Sequence, residues 1–119
     1  MNYLFLCYPK CSTCRKAEEF LKENGIAYTF RDIALDRPAA DELRRWFEAS
    51  GLPLKRFFNT SGMRYREERL SERLPGMSGD EQIALLATDG MLVKRPLLIG
   101  EDGSVRVGFR PAEWETLEH

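Results

Sequence analysis

The sequence predicts a single α/β domain in which a β-α-β unit and a β-β-α unit flank a long helical insert. Three observations carry this. Residues 2–32 pass from an apolar run to helical periodicity and then to strict alternation. Residues 96–117 return to short apolar strands around a turn and close on a helical segment. Between them, over about 34–94, apolar residues recur at helical spacing. The chain has 119 residues, the size of one domain with one core.

Residues 2–7 form a short apolar run that suits a buried strand. The segment from Cys11 onward places Ala17, Phe20 and Leu21 on one helical face, and Asn24-Gly25 supplies a C-terminal stop. Ile26, Tyr28 and Phe30 alternate with Ala27, Thr29 and Arg31, which predicts a strand. Residues 36–50 are predicted helical, with Pro38 near the start and an apolar face of Leu43, Trp46 and Phe47. Leu52 to Phe58 suits a turn or a short helix, residues 59–62 a loop, and residues 63–74 short helical pieces. Ser78-Gly79-Asp80-Glu81 fits a capping box before a helix carrying Ile83, Leu86 and Ala87. Residues 96–100 and 105–107 then form a hairpin around Glu101–Ser104, and Pro111 to Leu117 a closing helix. The domain spans 1–116, with 117–119 expected to be an expression-tag remnant because Leu-Glu-His opens a common vector-encoded tail.

Composition excludes several classes. Net charge is −1, which gives no general attraction to nucleic acid or an anionic membrane. No apolar stretch is long enough to span a bilayer, and the N-terminus lacks the pattern of a secretory signal. A cytoplasmic location is expected. His119 is the only histidine and falls in the suspected tail, which removes a histidine base from consideration.

The three cysteines, Cys7, Cys11 and Cys14, crowd into the first fifteen residues. Such a cluster points to redox chemistry rather than to a disulfide framework. A structural zinc site needs four ligands, and no metal is expected. Cys11 and Cys14 form a CxxC at the start of a helix. Unpaired N–H groups and the helix dipole converge there and favour a thiolate. Lys10, Arg15 and Lys16 add positive charge nearby. Cys11 is assigned as the nucleophile and Cys14, one turn on, as the resolving cysteine; oxidation is expected to join the two. Cys7, in a predicted strand, is assigned to the core.

Lys94-Arg95-Pro96 precedes an apolar strand, a position that a proline tolerates. Together with a CxxC in a β-α-β…β-β-α chain, it resembles the thioredoxin-like fold, in which a cis-proline stands against the dithiol; Arg95-Pro96 is expected to be that bond. Cys11-Ser12-Thr13-Cys14-Arg15-Lys16-Ala17, Lys94-Arg95-Pro96 and Val107-Gly108-Phe109-Arg110-Pro111 further resemble the glutaredoxin-type arsenate reductase and Spx family, over nearly the whole chain. That resemblance implies a thioredoxin-like α/β fold with a small mixed sheet.

It also implies one of two functions. In the first, a thiol-dependent reductase acts on an oxyanion or a disulfide. Cys11 and Cys14 are then catalytic, and Ser12, Thr13, Asn59, Arg95, Pro96 and Arg110 bind the substrate. Asn59 occupies the position where the reductases carry the third of three oxyanion-binding arginines. No cofactor is bound, glutathione or another thiol is the reductant, and glutaredoxin or thioredoxin is a candidate partner. In the second, a redox-sensing regulator binds the C-terminal domain of the RNA polymerase α subunit, with Cys11–Cys14 as its disulfide switch.

Overall fold

The computed structural model describes residues 1–118, and His119, assigned above to a tag, lies outside the described residues. The chain divides into two compact units: Met1–Asp32 with the stretch from Arg95 onward, and Ile33–Lys94.

The first unit is built on a four-stranded sheet. Its strands are β1 (Tyr3–Cys7), β2 (Tyr28–Asp32), β3 (Leu97–Gly100) and β4 (Val105–Val107), in the order β2-β1-β3-β4. β1 pairs parallel with β2, Tyr3 opposite Tyr28, and antiparallel with β3, Phe5 opposite Leu98. β3 and β4 are antiparallel. This is a mixed α/β sheet of the thioredoxin-like kind. The parallel pair needs a crossover, which α1 (Ser12–Glu23) supplies. The antiparallel pair needs only a turn. There the Asp102 carboxylate accepts the Ser104 N–H at 3.0 Å, and Gly103 takes φ 85°, a left-handed value that favours glycine.

Alternation along β1 sends Tyr3, Phe5 and Cys7 to one face, and helical spacing along α1 sends Cys14, Ala17 and Leu21 toward it. These side chains close one core with Ile26, Leu98, Trp114 and Leu117. Burying a large apolar side chain contributes roughly 1.5–3 kcal/mol, so this stripe-on-stripe contact is what fixes α1 over the sheet. α6 (Pro111–Trp114) adds Trp114, whose ring lies edge-on to Phe109 at 4.9 Å and to Phe5 at 6.4 Å. Leu117, placed by the sequence in a tag remnant, is buried in this core, and the Glu118 carbonyl accepts the Tyr3 hydroxyl at 2.9 Å. Leu117 is therefore a structural residue. Phe30 departs from simple alternation: on the edge strand β2 it stays 41% exposed, with its ring 6.0 Å from Phe5.

The second unit is helical: α2 (Ala40–Ser50), α3 (Met63–Glu67), α4 (Leu70–Arg73) and α5 (Gly79–Leu86), with 3-10 turns at Leu54–Phe57, Leu74–Gly76 and Gly90–Leu92. Helix α2 begins four residues later than the sequence suggests. Pro38 disfavours helical angles at the residue before it, and Ala39 after it is still extended at φ −79°, ψ 160°. Glu42 then accepts the Ala39 N–H at 3.0 Å. The capping box of α5 is present as read, with Ser78 accepting from Glu81 N–H at 3.1 Å and Glu81 accepting from Ser78 N–H at 2.9 Å. Those bonds hold the Glu81 carboxyl below its ordinary range. Leu43, Trp46, Phe57, Phe58, Ile83 and Leu86 are among the buried residues of this unit. Among the described residues, no helix is long and apolar enough to cross a membrane.

Candidate functional site

Strand β1 ends at Cys7, and the chain turns through Tyr8, Pro9 and Lys10 to reach the start of α1. Cys11 is the N-cap, with extended angles of φ −90° and ψ 124°. Its N–H donates to the Tyr8 carbonyl at 3.0 Å, and its own carbonyl accepts the Arg15 N–H at 3.1 Å. The side chain makes no capping hydrogen bond, which leaves the thiol half-buried and unbonded at the helix start. The first turn holds no acidic residue, and Ser12 and Thr13 open the helix with exposed side chains. Lys10 and Lys16 are exposed, and the Arg15 guanidinium donates to the Pro9 carbonyl at 3.3 Å. A thiolate or a bound anion at this point meets free N–H groups and positive charge without a neutralising carboxylate in that turn.

The expected pairing of Cys11 with Cys14 is corrected by the structure. Cys14 is bonded to Cys7, with 5.8 Å between their Cα atoms, and Cys11 is free. The physical reason lies in which faces meet. Cys7 ends the inward stripe of β1 and Cys14 begins the inward stripe of α1, so packing the helix on the sheet brings both sulfurs into one buried layer. Cys11, outside the helix proper, stands at the surface end of that layer. The resolving role given to Cys14 thus meets a competitor in Cys7. The Tyr8 N–H also points to Cys14 Sγ at 3.3 Å.

The bond between Arg95 and Pro96 is cis. The Arg95 guanidinium lies over the Tyr8 ring, 5.6 Å from its centroid, in cation–π range. Tyr8 therefore touches three parts of the site: it accepts from Cys11, donates to Cys14 and carries Arg95 on its ring. The Pro96 carbonyl accepts the Gly108 N–H at 2.8 Å, which ties the cis-proline turn to the segment leading to Arg110. Arg110 is exposed at the N-cap of α6, with Glu113 at 4.0 Å as a loose ionic partner.

Asn59 belongs to the helical unit. Its N–H donates to the Leu92 carbonyl at 2.7 Å, its carboxamide donates to the Met91 carbonyl at 3.4 Å, and its side-chain oxygen accepts the Ser61 hydroxyl at 3.2 Å. Asn59 organises its own loop. Arg64, five residues on, is engaged with Glu68 and, at 3.3 Å, with Asp89.

The sequence missed Cys7 and Tyr8. Cys7 was detectable: it shares the alternate positions of β1 with Tyr3 and Phe5, as Cys14 shares the inward helical face with Ala17 and Leu21. Tyr8 carried no motif.

Residues 6–117 match the model of the ArsC family. The chain belongs to that family. The uncharacterized protein YusI of Bacillus subtilis (strain 168) is 53% identical over 116 residues, 97% of either chain. Among solved structures, an ArsC-family-related protein from Bacteroides fragilis is 58% identical, with a TM-score of 0.95 over 99% of this chain and 98% of the other. An arsenate reductase from Vibrio cholerae is 28% identical, with a TM-score of 0.85 over 98% of either chain.

Proposed function

We propose that this ArsC-family chain is a thiol-dependent reductase in which Cys11 is the nucleophile toward a small disulfide or an oxyanion. The observation that carries this reading is the free Cys11 thiol at the N-cap of a twelve-residue helix with no acidic residue in its first turn. Toward a disulfide, the Cys11 thiolate attacks one sulfur and expels the other as a thiolate, leaving a mixed disulfide. Toward arsenate, Cys11 attacks arsenic and an oxygen leaves as water; two electrons from added thiols then release arsenite. While Cys14 is bonded to Cys7, the thiol that discharges Cys11 comes from outside, and glutathione, glutaredoxin or thioredoxin has the right chemistry. Arg95, held on the Tyr8 ring, and Arg110 supply charge to an anion at the helix start.

Asn59 stands where the resemblance puts a third arginine, and one fewer cation weakens an oxyanion site. A disulfide is therefore the favoured substrate. The test is a coupled turnover assay with glutathione, run with arsenate and with a small disulfide on the native sequence and on Cys11→Ser. Disulfide reduction that disappears in Cys11→Ser is the expected result. Turnover that survives the substitution contradicts it. Oxidation-dependent capture of the C-terminal domain of the polymerase α subunit, with no turnover of either substrate, would favour the regulator.

A further inference from the structure

Cys14 occupies a position from which two cysteines are reachable. It is bonded to Cys7 on the sheet side, and it lies three residues beyond Cys11 along the chain. Cys11 is the N-cap of α1 and Cys14 lies in its first turn. Both Cys7 and Cys14 are buried, at 0% and 3% exposure, whereas Cys11 is partly open. A soluble oxidant can thus reach Cys11 far more readily than the pair it would have to oxidise to make the observed bond.

We infer that the three cysteines form an inward disulfide relay, in which Cys7 is the terminal acceptor that returns Cys11 to its free state. This rests on Cys11 being the nucleophile, as proposed above, and adds a redox role for Cys7.

The relay starts from the fully reduced chain and a disulfide RSSR. The Cys11 thiolate attacks RSSR, a Cys11–SR bond forms, and RS⁻ leaves. Cys14, having lost its proton to solvent, attacks Cys11 Sγ; the Cys11–Cys14 bond forms and a second RS⁻ leaves. Cys7, likewise deprotonated, attacks Cys14 Sγ; the Cys7–Cys14 bond forms and the Cys11 thiolate is released. Two protein thiols have been oxidised, one RSSR has become two RSH, and the two protons given up by Cys14 and Cys7 match those taken up by the two RS⁻. Thiol–disulfide exchange needs a thiolate with access to the sulfur it attacks, and the buried layer that brings Cys7 to Cys14 gives that access in the last step. The Tyr8 N–H at 3.3 Å from Cys14 Sγ is placed to stabilise negative charge on that sulfur when it acts as nucleophile. The two-electron oxidation is held below the site as the Cys7–Cys14 bond, and Cys11 stays able to react again.

The experiment is a quenched time course. Reduced protein is mixed with oxidised glutathione, stopped by acid, alkylated and mapped by peptide mass spectrometry. The expected order is a Cys11–glutathione adduct first, then Cys11–Cys14 as a transient, then Cys7–Cys14 with Cys11 alkylatable. In Cys7→Ser the reaction should halt at Cys11–Cys14, with Cys11 blocked. In Cys11→Ser the Cys7–Cys14 bond should form at least tenfold more slowly. Because Cys7 is fully buried and a hydroxyl in its place can disturb folding, the native-sequence time course and Cys11→Ser suffice on their own. A final native product of Cys11–Cys14 with Cys7 free would overturn the relay while leaving Cys11 as nucleophile. Equal rates of Cys7–Cys14 formation with and without Cys11 would also overturn it. No reaction at Cys11 at all would overturn the reductase reading and the relay with it.

Discussion

In the helical unit, Arg44 meets Asp80 at 2.6 Å, Arg64 bridges Glu68 and Asp89, and Arg73 reaches Glu68 at 3.3 Å. In the sheet unit, the first turn of α1 has no acidic residue, and Lys10 and Lys16 stand exposed on either side of Cys11. In the helical unit, Arg44, Arg64 and Arg73 are paired with carboxylates. Arg64 holds the Glu68 carboxyl below its usual range, mainly through their hydrogen bond. Partly exposed pairs of this kind contribute little individually, but they lock short helices that could not persist alone. Around Cys11 the same residue types are kept away from carboxylates, which leaves a field available to a thiolate or an anion.

That contrast can be broken from both sides. Cys11→Ser should remove at least a hundredfold of disulfide reductase activity while leaving the melting temperature nearly unchanged, because the Cys11 side chain makes no cap bond. Gly90→Ala should do the reverse. A Cβ at position 90 would lie 1.7 Å from the Ile33 carbonyl oxygen, within the helical unit. The backbone must move, at a cost of at least about 2 kcal/mol, and chemical denaturation of both variants separates the two effects. A Cys11→Ser chain that is strongly destabilised, or a Gly90→Ala chain of native stability, would blur the division.

Ser78→Ala sharpens the comparison at the level of helix starts. Ser78 caps α5 with its side chain, whereas Cys11 begins α1 without doing so. Losing the Ser78 cap should cost about 1 kcal/mol in a urea titration. The corresponding change at Cys11 should cost much less.

The smallest expected effect concerns α1 and β2. The Tyr28 hydroxyl donates to Glu18 at 2.8 Å. Burial first, and this hydrogen bond second, push its ionisation up to about 12. A phenol ionises near 10 when unfolded. The neutral form is favoured in the fold, so the contribution is complete below about pH 10 and is lost as pH rises toward 12. An ultraviolet absorbance titration should show Tyr28 ionising late, beside Tyr3, which burial also raises; Glu18→Gln should bring Tyr28 part of the way back and leave Tyr3 where it is.

Much of this architecture was legible because it rests on local periodicity. The apolar run of β1, the capping box at Ser78 and the hairpin around Gly103 all announce themselves in short windows of sequence. The start of α2 was misplaced because Pro38 looks like a first-turn proline, yet the chain stays extended through Ala39 and the helix waits for Ala40. The cysteine pairing was misread for a deeper reason. The spacing of Cys11 and Cys14 is visible along the chain, but the partner of Cys14 is set by how α1 packs on β1. Tertiary contact between two stripes outweighed proximity in sequence. Leu117 teaches the same lesson, since a residue that looks like vector sequence completes the core.

The most direct test of the account is the alkylation of the folded, non-reduced protein by a small haloacetamide, with each cysteine followed by peptide mass spectrometry. Cys11 should be modified rapidly and to completion, while Cys7 and Cys14 remain unmodified until the protein is reduced and unfolded. Modification of Cys7 or Cys14 as fast as Cys11, or a Cys11 that resists the reagent, would contradict the assignment of Cys11 as the reactive thiol.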